Sequence, residues 1–141
     1  MKISKTLGAS ILALCLVMPA TASSADVAEL GQPIVELMPQ VKKMRADLQL
    51  TKAQSDKLDA WLADAPAKRE ALEAETLEIR DQLREAILTG ADRMTREALK
   101  KEFAAKQTRL IEMRSLCTRM LRDTLTPEQF DKVVASYRAS L

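Results

Sequence analysis

One five-residue phrase occurs twice and fixes where two helices must begin. Leu50-Thr51-Lys52-Ala53-Gln54 and Leu125-Thr126-Pro127-Glu128-Gln129 both read L-T-x-x-Q. The first amides of a helix have no partner inside it. A threonine hydroxyl at the N-cap accepts from the third helical amide, and a glutamine at that third position reaches back to the threonine's own amide. Each phrase is therefore a complete helix-start signal. The two threonines lie 39 residues before and 36 residues after Gly90. A chain that folds back at that glycine brings both phrases to one end of a single hairpin.

The spacing of apolar residues supplies the arms. After Thr51, the residues Leu58, Leu62, Ala65, Leu72, Ile79, Leu83 and Ala86 recur at intervals of four and three, interrupted by Arg69 and Thr76. This predicts a helix to about Leu88, bent or broken near Asp64 by Pro66. Thr89-Gly90-Ala91 is a stop and turn. Asp92 caps a third helix carrying Leu99, Phe103, Leu110, Met113, Cys117 and Met120, with Lys106 as its interruption, to about Asp123. The last helix follows Thr126 with Phe130, Val133, Val134 and Tyr137 on one side. Pro127 takes its first position, and Leu125 can staple to Phe130. The first phrase has Lys52 and Ser55 in those places, so the second helix is expected to fray more at its start. Ahead of the first phrase, Ile34, Leu37, Met38, Val41 and Met44 give a weak helical pattern between Pro33 and Asp47. Pro33 suits its first turn, and Pro39 should kink or shorten it. The fold class is all-α: a long, bent antiparallel hairpin between short first and last helices, forming a single domain over residues 33–141.

The N-terminus reads as an export signal. Lys2 and Lys5 precede an apolar run from Leu7 to Met18, and small residues follow. Residues 1–22 form the expected signal peptide, with Ala25 as an alternative cleavage point and residues 23–32 as a flexible start. The run is shorter than the roughly 20 residues a spanning helix needs. A retained anchor is the alternative, and lipidation at Cys15 fits poorly because bulky Leu14 precedes it. The location expected is the periplasm. Loss of Lys2 and Lys5 takes the chain from 22 basic and 20 acidic residues to a balanced 20 of each. The charge is nonetheless uneven: residues 79–122 hold 11 basic and 6 acidic groups. Neutrality and export argue against nucleic-acid binding. With no histidine, nucleophile motif or phosphate loop, nothing points to an enzyme, and no cofactor is implied.

The two L-T-x-x-Q phrases, Leu50-Thr51-Gln54 and Leu125-Thr126-Gln129, set behind a signal peptide in a helical hairpin, resemble the marks of the Spy/CpxP family of periplasmic stress proteins. The resemblance covers residue 40 to the end. It implies a thin, curved, cradle-like homodimer that acts as an ATP-independent chaperone for unfolded or misfolded periplasmic proteins and as an envelope-stress adaptor. In some members the partner is a stress sensor kinase. Other relatives bind zinc, nickel or cobalt, which makes a metal-responsive sensor or resistance protein the alternative. The absence of histidine here argues against those ions.

Three groups of residues are candidates for roles. The motif residues themselves are structural caps. A basic strip drawn from Arg80, Arg84, Lys100, Lys101, Lys106, Arg109 and Arg114 could meet acidic client segments, its methylene stems adding apolar contact. Arg93, Arg96, Arg119 and Arg122 extend the same charge excess, and one helix face cannot hold all of them. Met113, Cys117 and Met120 share a helix face. They are core fillers in the first instance and weak candidates for Cu(I). Cys117, single once the signal is removed, is either a buried thiol or a link between chains.

Overall fold

The computed structural model describes residues 31–141, of which Pro33–Leu141 form one compact unit. The expected signal peptide and residues 23–30 lie outside the described residues. Four helices follow in order: α1 (Met38–Lys43), α2 (Lys52–Leu88), α3 (Arg93–Thr124) and α4 (Pro127–Arg138), with no strand among the described residues. Helices α2 and α3 pack antiparallel as the long hairpin, and α1 and α4 pack together at its open end.

The turn at Gly90 is built from backbone hydrogen bonds. Gly90 lies at φ +70°, in the left-handed region open to residues lacking a Cβ. Its amide donates to the Ile87 carbonyl (3.3 Å), and the Ala91 amide donates to the Ala86 carbonyl (2.9 Å). These are the two bonds of a Schellman motif, which satisfies carbonyls the helix end would otherwise leave unpaired. Asp92 then opens α3, accepting from the Thr95 amide at 3.0 Å and from the Thr95 hydroxyl at 2.6 Å.

The first helix is short, as expected around Pro39, and the break allowed for at Pro66 does not occur. Pro39 sits in the first turn of α1, the role assigned above to Pro33, where its missing donor costs nothing. The helix is short because it ends in the turns of residues 44–49. Pro66 breaks nothing: α2 runs unbroken for 37 residues through it, a length of about 55 Å. Proline removes only the hydrogen bond to the Leu62 carbonyl. Neighbouring residues, buried at Leu58 and Leu72, hold the helix against α3 on both sides of the gap.

The main core lies at one end. Leu37 and Val41, Leu48, Leu58, Leu121, Leu125, Phe130 and Val133 form one buried cluster, fed by all four helices and the turns between them. Further along the arms only two helices meet. There Leu72, Thr76, Ile79 and Ala86 of α2 are buried, while Leu99, Phe103 and Leu110 of α3 are half-buried. Two cylinders in contact enclose one seam, and a third element is needed to cover its sides. Thr76 meets its burial by donating to the Leu72 carbonyl at 2.6 Å.

Because an added Cβ at Gly90 meets no atom within 4 Å, a Gly90→Ala variant faces only the left-handed backbone penalty. It is expected to lose about 1 kcal/mol of stability, measured by urea unfolding, with Gly90→Asn losing less.

Candidate functional site

The two motifs meet at the core end and are joined through their glutamines. In each, the threonine hydroxyl accepts from the glutamine amide three residues on, at 3.3 Å for Thr51 and 3.2 Å for Thr126. In each, the glutamine Oε1 accepts from the threonine amide at 2.9 Å. The side-chain amides then cross over. Gln54 Nε2 donates to Gln129 Oε1 at 2.8 Å and to the Thr124 carbonyl at 3.0 Å. Gln129 Nε2 donates to the Leu48 carbonyl at 2.8 Å. Each glutamine thus caps its own helix and holds the chain just ahead of the other motif. The reading of these residues as caps omitted this cross-bridge. Glutamine provides it because a carboxylate in its place could make the cap and could not donate.

The start of α2 has a further support in place of a staple. Arg45 reaches from the preceding turn to donate to the Ser55 hydroxyl, and it pairs with both oxygens of Asp59 at 2.8 and 2.9 Å. Gln49, at φ +48°, makes the left-handed bend that brings the chain to Thr51. That conformation costs a non-glycine residue energy, and the bond from Gln129 Nε2 to the neighbouring Leu48 carbonyl helps to offset it.

Beside the clasp, Glu36 joins the segment ahead of α1 to both long helices. Its Oε1 pairs with Arg69 Nη1 of α2 at 3.2 Å and with Arg114 Nη1 of α3. Glu73 Oε1 pairs with Arg69 Nε at 3.3 Å and with Arg114 Nη2 at 3.2 Å. Glu70 adds a longer contact to Arg69 Nη2 at 3.7 Å, so three glutamates surround the two arginines. Glu36, Arg69 and Arg114 line one side of a cavity of about 60 Å³ whose apolar walls include Met38, Leu62, Pro66, Met113 and Cys117. Burial pushes the Cys117 thiol up, against the pull of Arg114 and Arg69, so it remains a neutral thiol at neutral pH.

The candidate residues do not form one surface. Arg114 is 12 % exposed and turned inward to Glu36 and Glu73, which corrects its assignment to a client-binding strip. Lys106, 22 % exposed, bridges the hairpin to Glu75 at 2.8 Å. Arg84 and Lys100 pair along their own helices with Asp81 (2.7 Å) and Glu97 (3.0 Å). Arg80, Lys101 and Arg109 are exposed, Arg109 close enough to act on Glu75. Arg122 lies 4.8 Å above the Phe130 ring. Met113 and Cys117 line the cavity, whereas Met120 lines a separate groove and accepts from the Thr124 hydroxyl at 3.6 Å. The three soft groups share no common pocket. Among the described residues, no group of three or more His, Cys, Asp and Glu could hold a metal ion.

The groove is the larger opening, about 640 Å³, between α2 and α3. Ala60, Trp61, Ala65, Leu116 and Met120 give it an apolar floor, while Lys57, Asp64, Arg119 and Asp123 supply two charges of each sign. Sequence reasoning had assigned no role to Trp61 or Leu116. The available signal was their position: large apolar residues beside the seam, in a chain with very few aromatics.

No family model matches the chain, and no curated protein or solved structure shows significant similarity to it.

The glutamine clasp is testable by a double-mutant cycle. Gln54→Ala and Gln129→Ala are each expected to lose about 2 kcal/mol, and the pair should couple by about 1 kcal/mol in urea unfolding. Additive losses would mean that the two motifs act as separate caps.

The pH response has a defined sign. Hydrogen bonds from Arg45 to Asp59, from Lys106 to Glu75 and from the Thr95 hydroxyl to Asp92 hold these carboxyls below their ordinary range. Glu128 is held down by its own amide and the Thr126 hydroxyl. The folded chain therefore binds these protons less readily than the unfolded chain. The stability they contribute is complete above the unfolded values and is lost as pH falls through the folded ones. With no histidine in the chain, the thermal midpoint is expected to be level from about pH 6 to 8 and to fall below about pH 4.

Proposed function

We propose that this is an exported, ATP-independent chaperone of the Spy/CpxP type, acting on unfolded or misfolded proteins in the periplasm as an envelope-stress adaptor. The observation that carries the reading is the groove beside the clasp. It is open to solvent, apolar at the base and edged by both signs of charge. Such a surface suits short apolar stretches of many sequences. Trp61 and Met120 offer adaptable contact, and the charged edge accepts the polar residues that flank apolar segments in unfolded chains. The paired L-T-x-x-Q motifs and the expected signal peptide support the same reading. The basic strip is not the primary client surface in this proposal, because four of its seven members are already paired within the chain.

Suppression of aggregation of a chemically denatured model protein tests this. The unaltered chain is expected to suppress at near-stoichiometric concentration. Leu116 is exposed, so Leu116→Asp should leave helical content and thermal midpoint unchanged while weakening suppression about fivefold or more. No suppression by the unaltered chain would overturn the chaperone reading. Suppression unaffected by Leu116→Asp would remove the groove as its site.

A further inference from the structure

The groove ends against the clasp, and one residue belongs to both. Thr124, the last residue of α3, lines the groove beside Lys57 and Asp123. Its carbonyl lies beyond the helix's own ladder and accepts instead from Gln54 Nε2 at 3.0 Å. Its hydroxyl departs from the pattern set by three other threonines of the long helices. Thr76, Thr108 and Thr118 each donate to the carbonyl four residues back, at 2.6, 3.0 and 3.1 Å, the local bond a helical threonine ordinarily makes. Thr124 donates to the side chain four residues back, to Met120 Sδ at 3.6 Å. Met120 lies in the groove's floor. Thr124 is itself buried, at 9 % exposure, so its hydroxyl has little water to exchange for that sulfur.

We infer, resting on the reading of the groove as the client site, that Gln54 and Thr124 are positioning residues for it. Gln54 holds the end of α3 against the first turn of α2, and Thr124 holds the Met120 thioether in the floor between them. Methionine turns about three side-chain bonds, and its sulfur is a weak acceptor. Unheld, the side chain samples several rotamers, some of which close the opening. A held sulfur fixes the torsions that lead to it and leaves the terminal methyl free to turn. The contact stays adaptable while the opening stays clear. Helix ends fray unless their last carbonyls find donors. Here the Leu125 amide takes the Leu121 carbonyl at 2.9 Å and Gln54 takes that of Thr124. A bond made by a motif residue is thereby passed, through Thr124, to a side chain that meets the guest. A guest seated on Met120 favours the clasped state in return, because coupling between two sites acts in both directions.

Methyl-labelled methionine and a neutral apolar dye together test this. The dye is N-phenylnaphthylamine, its binding read by energy transfer from Trp61, the one tryptophan of the chain and part of the groove's floor. Gln54→Glu keeps the capping oxygen and lacks the donor to the Thr124 carbonyl. Thr124→Val keeps the shape and the carbonyl and lacks the hydroxyl. Both are expected to lower the order of the Met120 methyl in NMR relaxation. They should weaken dye binding by about fivefold and about threefold respectively. Thr124→Ser retains a hydroxyl and should match the unaltered chain in both measurements. Gly90→Ala destabilises the chain at the far end of the hairpin and should change neither, which separates positioning from a general loss of stability. A Met120 methyl unchanged in both Gln54→Glu and Thr124→Val overturns the inference. So does unaltered dye affinity when the methyl has lost order, since the placement of Met120 would then not matter to a guest. Absence of energy transfer in the unaltered chain overturns it as well. Aggregation suppression is a separate readout: its failure removes the chaperone reading, while Met120 order and dye affinity still report whether these residues shape the groove.

Discussion

The contact between Gln54 and Gln129 is the constraint on which the rest of this structure depends. Each side-chain amide has an acceptor end and a donor end, and both are used. The oxygen closes a helix start, and the nitrogen reaches across to the chain that leads into the other motif. Two regions distant in sequence are fixed by two side chains: the turn at Leu48 with the start of α2, and the end of α3 with the start of α4. The bonds are part-buried, so an unmade one would cost more than its net contribution when made. The entry to α2, the exit from α3 and the seating of α4 on the core are thereby fixed together.

Stability is concentrated as a consequence. The buried cluster, the clasp and the Arg69–Arg114–Glu36–Glu73 group all lie toward the motif end, where the segment around α1 and the helix α4 supply a third layer. Beyond Glu73 the hairpin is two helices holding a single seam, reinforced by one interhelical ion pair, Lys106 to Glu75. The closing turn compensates locally with backbone bonds at Gly90 and the Asp92 cap. A chain built this way has a firm base and a less enclosed arm. Local opening should follow that gradient, because opening free energies track buried contacts. The groove sits on the firm part and the Gly90 turn on the arm, so the two ends differ in stiffness.

Much of the fold was legible in the sequence, for identifiable reasons. Helix starts at Thr51, Asp92 and Thr126 and the reversal at Gly90 are local signals, each written in a few adjacent residues. The 4-3 seam follows from helical geometry alone. The errors came where a residue's role depends on what lies across from it. The break allowed for at Pro66 was judged on its missing donor alone. That proline lies in a helix held by its neighbours on both sides. Arg114 looked like surface charge from its neighbours in sequence, yet Glu36, 78 residues away, turns it inward. The cross-bonding of the glutamines was hidden in the same way. Capping already accounted for their oxygens, and nothing local asked what their nitrogens would do.

That last point bears on why the phrase ends in glutamine in both copies. A helix start needs only the oxygen, and glutamate would serve a capping box as well. Two glutamates brought as close as Gln54 and Gln129 would repel one another and leave the Leu48 and Thr124 carbonyls without donors. One glutamate and one glutamine could still bridge, through a single donation, but would strand one of the two carbonyls. Only an amide at both positions closes every bond in the set, so it is the matched pair of glutamines that satisfies both the Leu48 and the Thr124 carbonyls.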